Sequence, residues 1–322
     1  MSLQGATGGS DSPKSKSKGL SSLTALFTYD HTGSLKDRLL TAFYVLSGAV
    51  ALSLAALYLP YGRMVCVAFV AAVAAMSIFE VVRLFARDHD TRAYRPVFGS
   101  VVYLILAIPS VVAALAAVQS VASGQVWWKA LYAGTIVSGE LLMVALVIEG
   151  RSRLESAARF GEQWVVAFLI LGICVPALVL VSGLPHSVQL VWWMAGSAAL
   201  NDTAAYFVGR AFGAHTMAPA LSPKKSMEGC IAGLVVGTVS GVVLWRLLIG
   251  LEQPIWQVAL VSLFAITAAQ AGDLAKSYLK RLRGVKDLGA LFPGHGGVLD
   301  RFDALIAVAP VTLVALCLLE MV

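Results

Sequence analysis

Nine apolar segments of membrane-spanning length run through this 322-residue chain, near residues 40–60, 63–85, 97–119, 127–149, 163–183, 187–209, 229–249, 255–279 and 303–321. About 20 apolar residues cross the roughly 30 Å hydrocarbon core of a bilayer. Lipid cannot satisfy backbone polar groups, so helices are the economical way to span it. The expected fold is all-α, a polytopic integral membrane protein with about nine transmembrane helices. Composition agrees: 58% of residues are hydrophobic and 13% charged, against about 45–50% apolar and about 25% charged in soluble domains.

The charge pattern orients the segments. A formal net charge of +6 could suggest a nucleic-acid partner. In a membrane protein, however, the placement of basic residues matters more than their sum, and no nucleic-acid partner is expected. With the N-terminus cytoplasmic, all but Arg63, Lys129 and Arg246 of the 24 Lys and Arg residues fall on the cytoplasmic side. The expected location is therefore the cell (inner) membrane, with the polar loops facing the cytoplasm. Residues 1–39 read as a Gly-, Ser- and Lys-rich cytoplasmic tail with a disordered composition, 40–185 as N-terminal transmembrane helices, and 186–322 as the C-terminal catalytic region. Trp127, Trp128, Trp192, Trp193 and Trp256 lie near segment ends and read as interfacial anchors. Cys66, Cys174, Cys230 and Cys317 have neither zinc nor disulfide spacing and read as small buried hydrophobes.

Three polar stretches interrupt the apolar pattern. The first, Asn201-Asp202-Thr203 with Tyr206, Gly209 and Arg210, places Asp202 and Tyr206 on one helical face. The second is Ser222-Pro223-Lys224-Lys225-Ser226-Met227-Glu228-Gly229. Pro223 after Ser222 has the pattern of a helix start, and two lysines at a helix N-terminus could cradle phosphate; an ordinary positive-inside loop is the competing reading. The third, Gly272 to Asp303, concentrates Asp273, Asp287, Asp300 and Asp303 with six basic residues and six glycines. Asp273, Ser277 and Lys280 fall on one helical stripe, and Lys280, Arg281, Lys286 and Arg301 can neutralise polyphosphate. The turn Pro293-Gly294-His295-Gly296-Gly297 lets backbone N–H groups approach an anion.

Asp202 and Asp273, at similar depth on different helices, suit a hard cation such as Mg²⁺, which prefers oxygen ligands. The alternative is that each pairs with a nearby cation such as Arg210 or Lys280. Glu80, with Arg83 three residues on, reads either as a site residue or as half of a simple ion pair. These features point to phosphate and divalent-cation chemistry at a cytoplasmic membrane surface.

The spacing Ser277-x-x-Lys280-Arg281-x4-Lys286-Asp287, followed by Pro293-x-His295-Gly296-Gly297-x-x-Asp300-Arg301-x-Asp303, resembles the phosphatidate cytidylyltransferase (CDP-diacylglycerol synthase) family. The Asn201–Gly209 and Ser222–Gly229 blocks extend the resemblance, in the family's order, while the N-terminal half matches only in hydropathy and in the Lys36–Leu40 start. One departure is Lys276, where many members carry Glu.

The resemblance implies that CTP condenses with phosphatidate to give CDP-diacylglycerol and pyrophosphate at the lipid bilayer, with Mg²⁺ on Asp202 and Asp273 and room for a second cation. It implies catalytic roles for Asp202, Asp273, Lys280, Arg281, Asp300 and Asp303. Substrate phosphate would meet Ser222, Lys224, Lys225, Ser277, Lys286, His295, Gly296, Gly297 and Arg301, with His295 equally suited to ordering the loop. A homodimer is compatible with this reading. The rival functions are a CTP-dependent polyprenol or dolichol kinase and, from another class, a cation-coupled transporter using Asp202 and Asp273.

Overall fold

The computed structural model describes residues 35–59, 61–86, 96–123, 129, 134–141, 164–250, 252–282, 284–285, 288–289 and 296–319. Its long helices are α1 (Leu35–Tyr58), α2 (Gly62–Ala86), α3 (Pro96–Ser123), α4 (Trp164–Ser182), α5 (Ser187–Phe212), α6 (Met227–Ile249), α7 (Ile255–Leu282) and α8 (Val298–Leu318). They coincide with eight of the nine apolar segments. The fourth segment, 127–149, lies outside the described residues except at 129 and 134–141, which are helical. Residues 1–34 lie outside them too.

Six helices, α2, α3, α4, α6, α7 and α8, are long and apolar enough to cross a membrane. The apolar part of α1 is shorter, Leu46–Tyr58. Helix α5 has 26 residues, but Gln189, Asn201, Asp202 and Arg210 dilute its hydropathy. The chain is thus a helical, multi-pass membrane protein. One small departure from all-α is an antiparallel hairpin, β1 (Thr216–Ala218) paired with β2 (Ser222–Ser226).

That hairpin corrects the expected helix start. Ser222 and Pro223 open strand β2, and the helix begins only at Met227. Its N-cap is Ser226, extended at φ −107° and ψ 155°, whose hydroxyl accepts from the Gly229 N–H at 3.2 Å. Serine at this position supplies the acceptor that a first-turn N–H lacks. Lys224 and Lys225 therefore project from a strand that leads into α6, rather than from its first turn.

Glycine spacing sets the closest helix packing. Gly229, Gly233, Gly237 and Gly241 recur every fourth residue, lie along one face of α6 and are buried. A Cβ on Gly229 would sit 2.6 Å from the Ala205 carbonyl oxygen, and one on Gly233 would sit 2.6 Å from Asn201 Oδ1. Only glycine lets α5 and α6 approach this closely, the usual device where lipid provides no hydrophobic drive between helices.

Farther from the site, Trp193 is fully buried against Trp245, edge to face at 5.2 Å, and donates to the Gly241 carbonyl at 2.8 Å. Trp193 is therefore a packing residue, contrary to its expected interfacial role. Trp192 donates to Ser53 Oγ at 3.0 Å, joining α5 to α1, while Trp256 is exposed. Trp127 and Trp128 lie outside the described residues.

The cysteines also differ from expectation. All four are free, but only Cys66 is buried, and Cys317 is exposed.

Candidate functional site

The polar residues of five helices meet at one end of the bundle. The C-terminal parts of α2, α5 and α7 and the N-terminal ends of α6 and α8 converge there, because α5 and α7 run opposite to α6 and α8. Asp273, on α7, is the hub. Lys225, reaching in from β2, pairs with its Oδ2, and Lys276, one helical turn on, lies 3.3 Å from its Oδ1. Lys276 also pairs with Asp303 of α8, so one ammonium bridges two carboxylates on two helices.

Lys276 is 8% exposed. A buried ammonium is tolerable only when paired, and here both of its partners are anionic. Asp202 lies in the electrostatic field of Lys225, Asp273 and Asp303. The alternative reading, in which a carboxylate pairs with a nearby cation, is met at Asp273, by Lys225 and Lys276 in place of Lys280. Asp273 uses Lys225 and Lys276, whereas Arg210 donates to the Tyr206 hydroxyl at 3.1 Å.

Asp202 is held by a relay. Asn201 donates to Asp202 Oδ1 at 2.9 Å. Gln270 of α7 donates to Asn201 Oδ1 at 2.7 Å and to the Cys230 carbonyl at 3.1 Å. Cys230 Sγ lies 2.8 Å from Gln270 Oε1. Amides with both ends engaged, Asn201 buried and Gln270 half-buried, fix one orientation, so the relay sets where the Asp202 carboxylate points. Gln270 was absent from the sequence reading, and Cys230 figured there only as a small buried hydrophobe. A glutamine three residues before a site aspartate, less than one helical turn away, is a weak signal, since its partners lie on other helices.

A second group ties α7 to Leu288 and to the start of α8. Asp300 Oδ1 lies 2.5 Å from Lys280 Nζ, an ion-pair contact outside good hydrogen-bond geometry. Asp300 Oδ2 accepts from the Leu288 and Gly297 N–H groups at 3.0 and 3.1 Å. Its carboxylate thus joins α7, the loop and the start of α8. Glu80 of α2 does the same from the other side, accepting from Val298 N at 2.8 Å and Leu299 N at 3.0 Å. Two otherwise orphaned N–H groups of α8 are thereby satisfied, and a carboxylate suits the positive end of the helix dipole. A Cβ on Gly297 would fall 2.5 Å from Glu80 Oε2, and one on Gly289 the same distance from Oε1. These two glycines leave room for the carboxylate, while Gly296, at φ 83°, needs the freedom of glycine for its backbone.

The remaining expected site residues are dispersed around this core. Lys224 is exposed on β2, and Ser222 is half-buried there. Ser277 is half-buried on α7. Arg281 is exposed and donates to the Leu221 carbonyl at 3.3 Å, tying α7 to the hairpin. Arg301 is exposed on the first turn of α8. Lys286 and His295 lie outside the described residues. On the hairpin side, His215 Nδ1 and Glu228 Oε1 are 2.6 Å apart.

The donor set of the cluster is entirely oxygen, which suits a hard cation. Among the described residues, no three of His, Cys, Asp and Glu are grouped so that they could hold one metal ion. Asp202 and Asp273 could offer two carboxylates to such a cation, although both oxygens of Asp273 are in contact with lysine ammonium groups.

Stretches of the chain are similar to known proteins. One stretch is 42% identical over 111 residues to "Phosphatidate cytidylyltransferase" of Staphylococcus haemolyticus, covering 34% of this chain and 42% of that protein. Another is 36% identical over 174 residues to the Brucella suis protein of the same name, covering 53% of this chain and 64% of that protein. The Bacillus subtilis protein of that name is 42% identical over 110 residues, 34% of this chain and 40% of its own length. The matched stretches thus span less than two thirds of each of these relatives. The cytidylyltransferase family profile matches residues 36–319, nearly the whole chain, and the chain belongs to that family.

Proposed function

We propose that the protein is a phosphatidate cytidylyltransferase, joining CTP to phosphatidate to give CDP-diacylglycerol and pyrophosphate in phospholipid synthesis. The observation that carries this reading is the cluster of Asp202, Asp273 and Asp303 with Lys225 and Lys276 at one end of an apolar helical bundle. A soluble nucleotide and a lipid phosphate can meet only at such an interface. The names of the three relatives support the same reaction.

The proposed step is attack of a phosphatidate oxygen on the α-phosphorus of CTP, with the bond to the β-phosphate's bridging oxygen breaking as pyrophosphate leaves. Transfer of this kind depends on positioning and charge neutralisation more than on covalent help. Lys224, Arg281 and Arg301 offer exposed positive charge to the phosphates. Lys225 reaches the same region while holding Asp273. The lipid phosphate is already ionised, so no side chain need act as a general base.

Mg²⁺, held by Asp202 and Asp273, would supply charge neutralisation at the phosphates. Lys280 and Asp300, joined by their ion pair, also tie α7 to Leu288 and to the start of α8. The reading includes nine spans, a cytoplasmic N-terminus and cytoplasmic site loops in the cell membrane, supported by the one-sided distribution of Lys and Arg.

The test is turnover by the purified full chain in detergent with Mg²⁺, which should require CTP and phosphatidate together. CTP consumption that ignores phosphatidate would contradict the reading.

A further inference from the structure

Lys276 stands at the centre of the carboxylate cluster, yet no step of the proposed reaction uses it. Its ammonium touches Asp273 on its own helix and Asp303 on α8, and its side chain is 10% exposed. Two carboxylates brought to one point repel each other, and a cation in contact with both offsets that repulsion. The long lysine stem is packed inside the bundle, so its charge is fixed in place rather than exchanged with solvent.

We infer that Lys276 is a resident cation of the site, a tethered ammonium holding Asp273 against Asp303 where a dissociable ion would otherwise be needed. The inference rests on the reading of the cluster as a cation-dependent phosphoryl-transfer site. It restricts cation uptake from solution to the Asp202 side of Asp273, and it makes the junction of α7 with α8 independent of cation concentration. Lys225 reaches Asp273 Oδ2 from a strand and is 37% exposed, so it can move aside for a ligand more readily than Lys276. A metal ion approaching Asp273 therefore competes with Lys225 while Lys276 stays in place.

The experiment is Mn²⁺ binding to the nucleotide-free full chain in detergent, read by electron paramagnetic resonance, with thermal unfolding measured at the same Mn²⁺ concentrations. Lys276→Gln removes the charge, Lys276→Glu reverses it, and Lys276→Arg keeps it. Removing a unit positive charge in contact with the ligands should tighten Mn²⁺ binding about tenfold or more. Lys276→Glu should bind an additional Mn²⁺, and Lys276→Arg should bind as the unaltered protein does. A Lys276→Gln protein that folds only in Mn²⁺ also supports the inference, because the ion is then replacing the ammonium.

Unchanged number and affinity of Mn²⁺ in both Lys276→Gln and Lys276→Glu would overturn it. So would a Lys276→Gln protein that fails to fold and is not recovered by Mn²⁺. The readout needs no turnover. An active enzyme with unaltered Mn²⁺ binding in the variants sinks only this inference, while inactive protein with the shifted binding sinks only the assigned reaction.

Discussion

Glu80 and Val298, 218 residues apart in the chain, meet in a 2.8 Å hydrogen bond from the Val298 N–H to the Glu80 carboxylate. That contact makes a helix from the N-terminal half part of the site's framework. Glu80→Ala should leave the buried N–H groups of Val298 and Leu299 unpaired, at about 1–3 kcal/mol each. The expected outcome is a lower unfolding temperature in detergent, with turnover reduced because Asp300 and Asp303 ride on the same helix. Unchanged stability would show that the cap is dispensable.

Asp273→Asn is expected to abolish turnover while the protein stays folded. It removes the charge that Lys225, Lys276 and the proposed metal all share. A loss of roughly a thousandfold in kcat, about 4 kcal/mol, is the expected scale. Near-normal kcat in a correctly folded variant would remove Asp273 from the site.

The two adjacent lysines should separate kinetically. Lys224 is exposed on β2, whereas Lys225 contacts Asp273. Lys224→Gln should mainly raise the apparent KM for nucleotide or lipid, since it removes attraction felt before and during the reaction alike. Lys225→Gln should mainly lower kcat, because it also disturbs the Asp273 carboxylate. Equal effects on both parameters from both variants would contradict the division.

Gly233→Ala should be costly and Gly48→Ala harmless. A Cβ on Gly233 meets Asn201 Oδ1 at 2.6 Å, while one on Gly48 meets nothing within 4 Å. Forcing α5 and α6 apart should destabilise by about 1–3 kcal/mol and swing Asp202 through its hydrogen bond to Asn201. Thermal unfolding of both variants, with turnover alongside, checks the pair.

Much of the site was legible because its residues carry charge inside an apolar chain. Asp202, Asp273 and Asp303 stood out on those grounds, and the structure brings them into one electrostatic field. The roles of Gln270, Cys230 and Glu80 were not legible, because each acts through a partner on another helix. Strand β2 was misread for a local reason. Ser-Pro is a fair helix-start signal, but the hairpin with Thr216–Ala218 occupies Ser222–Ser226, and Ser226 provides the cap instead. Trp193 was misread because proximity to a segment end does not reveal which face of the helix is packed.

The fate of the phosphates of CTP tests the central claim most directly. The purified protein in detergent, with Mg²⁺ and phosphatidate, is given CTP labelled on the α- or the γ-phosphate. The expected result is α-label in the lipid product and γ-label released as pyrophosphate. Transfer of the γ-label to lipid would make the protein a kinase, and no transfer of either label by folded protein would return the cluster to a cation-transport role; both contradict the cytidylyltransferase account.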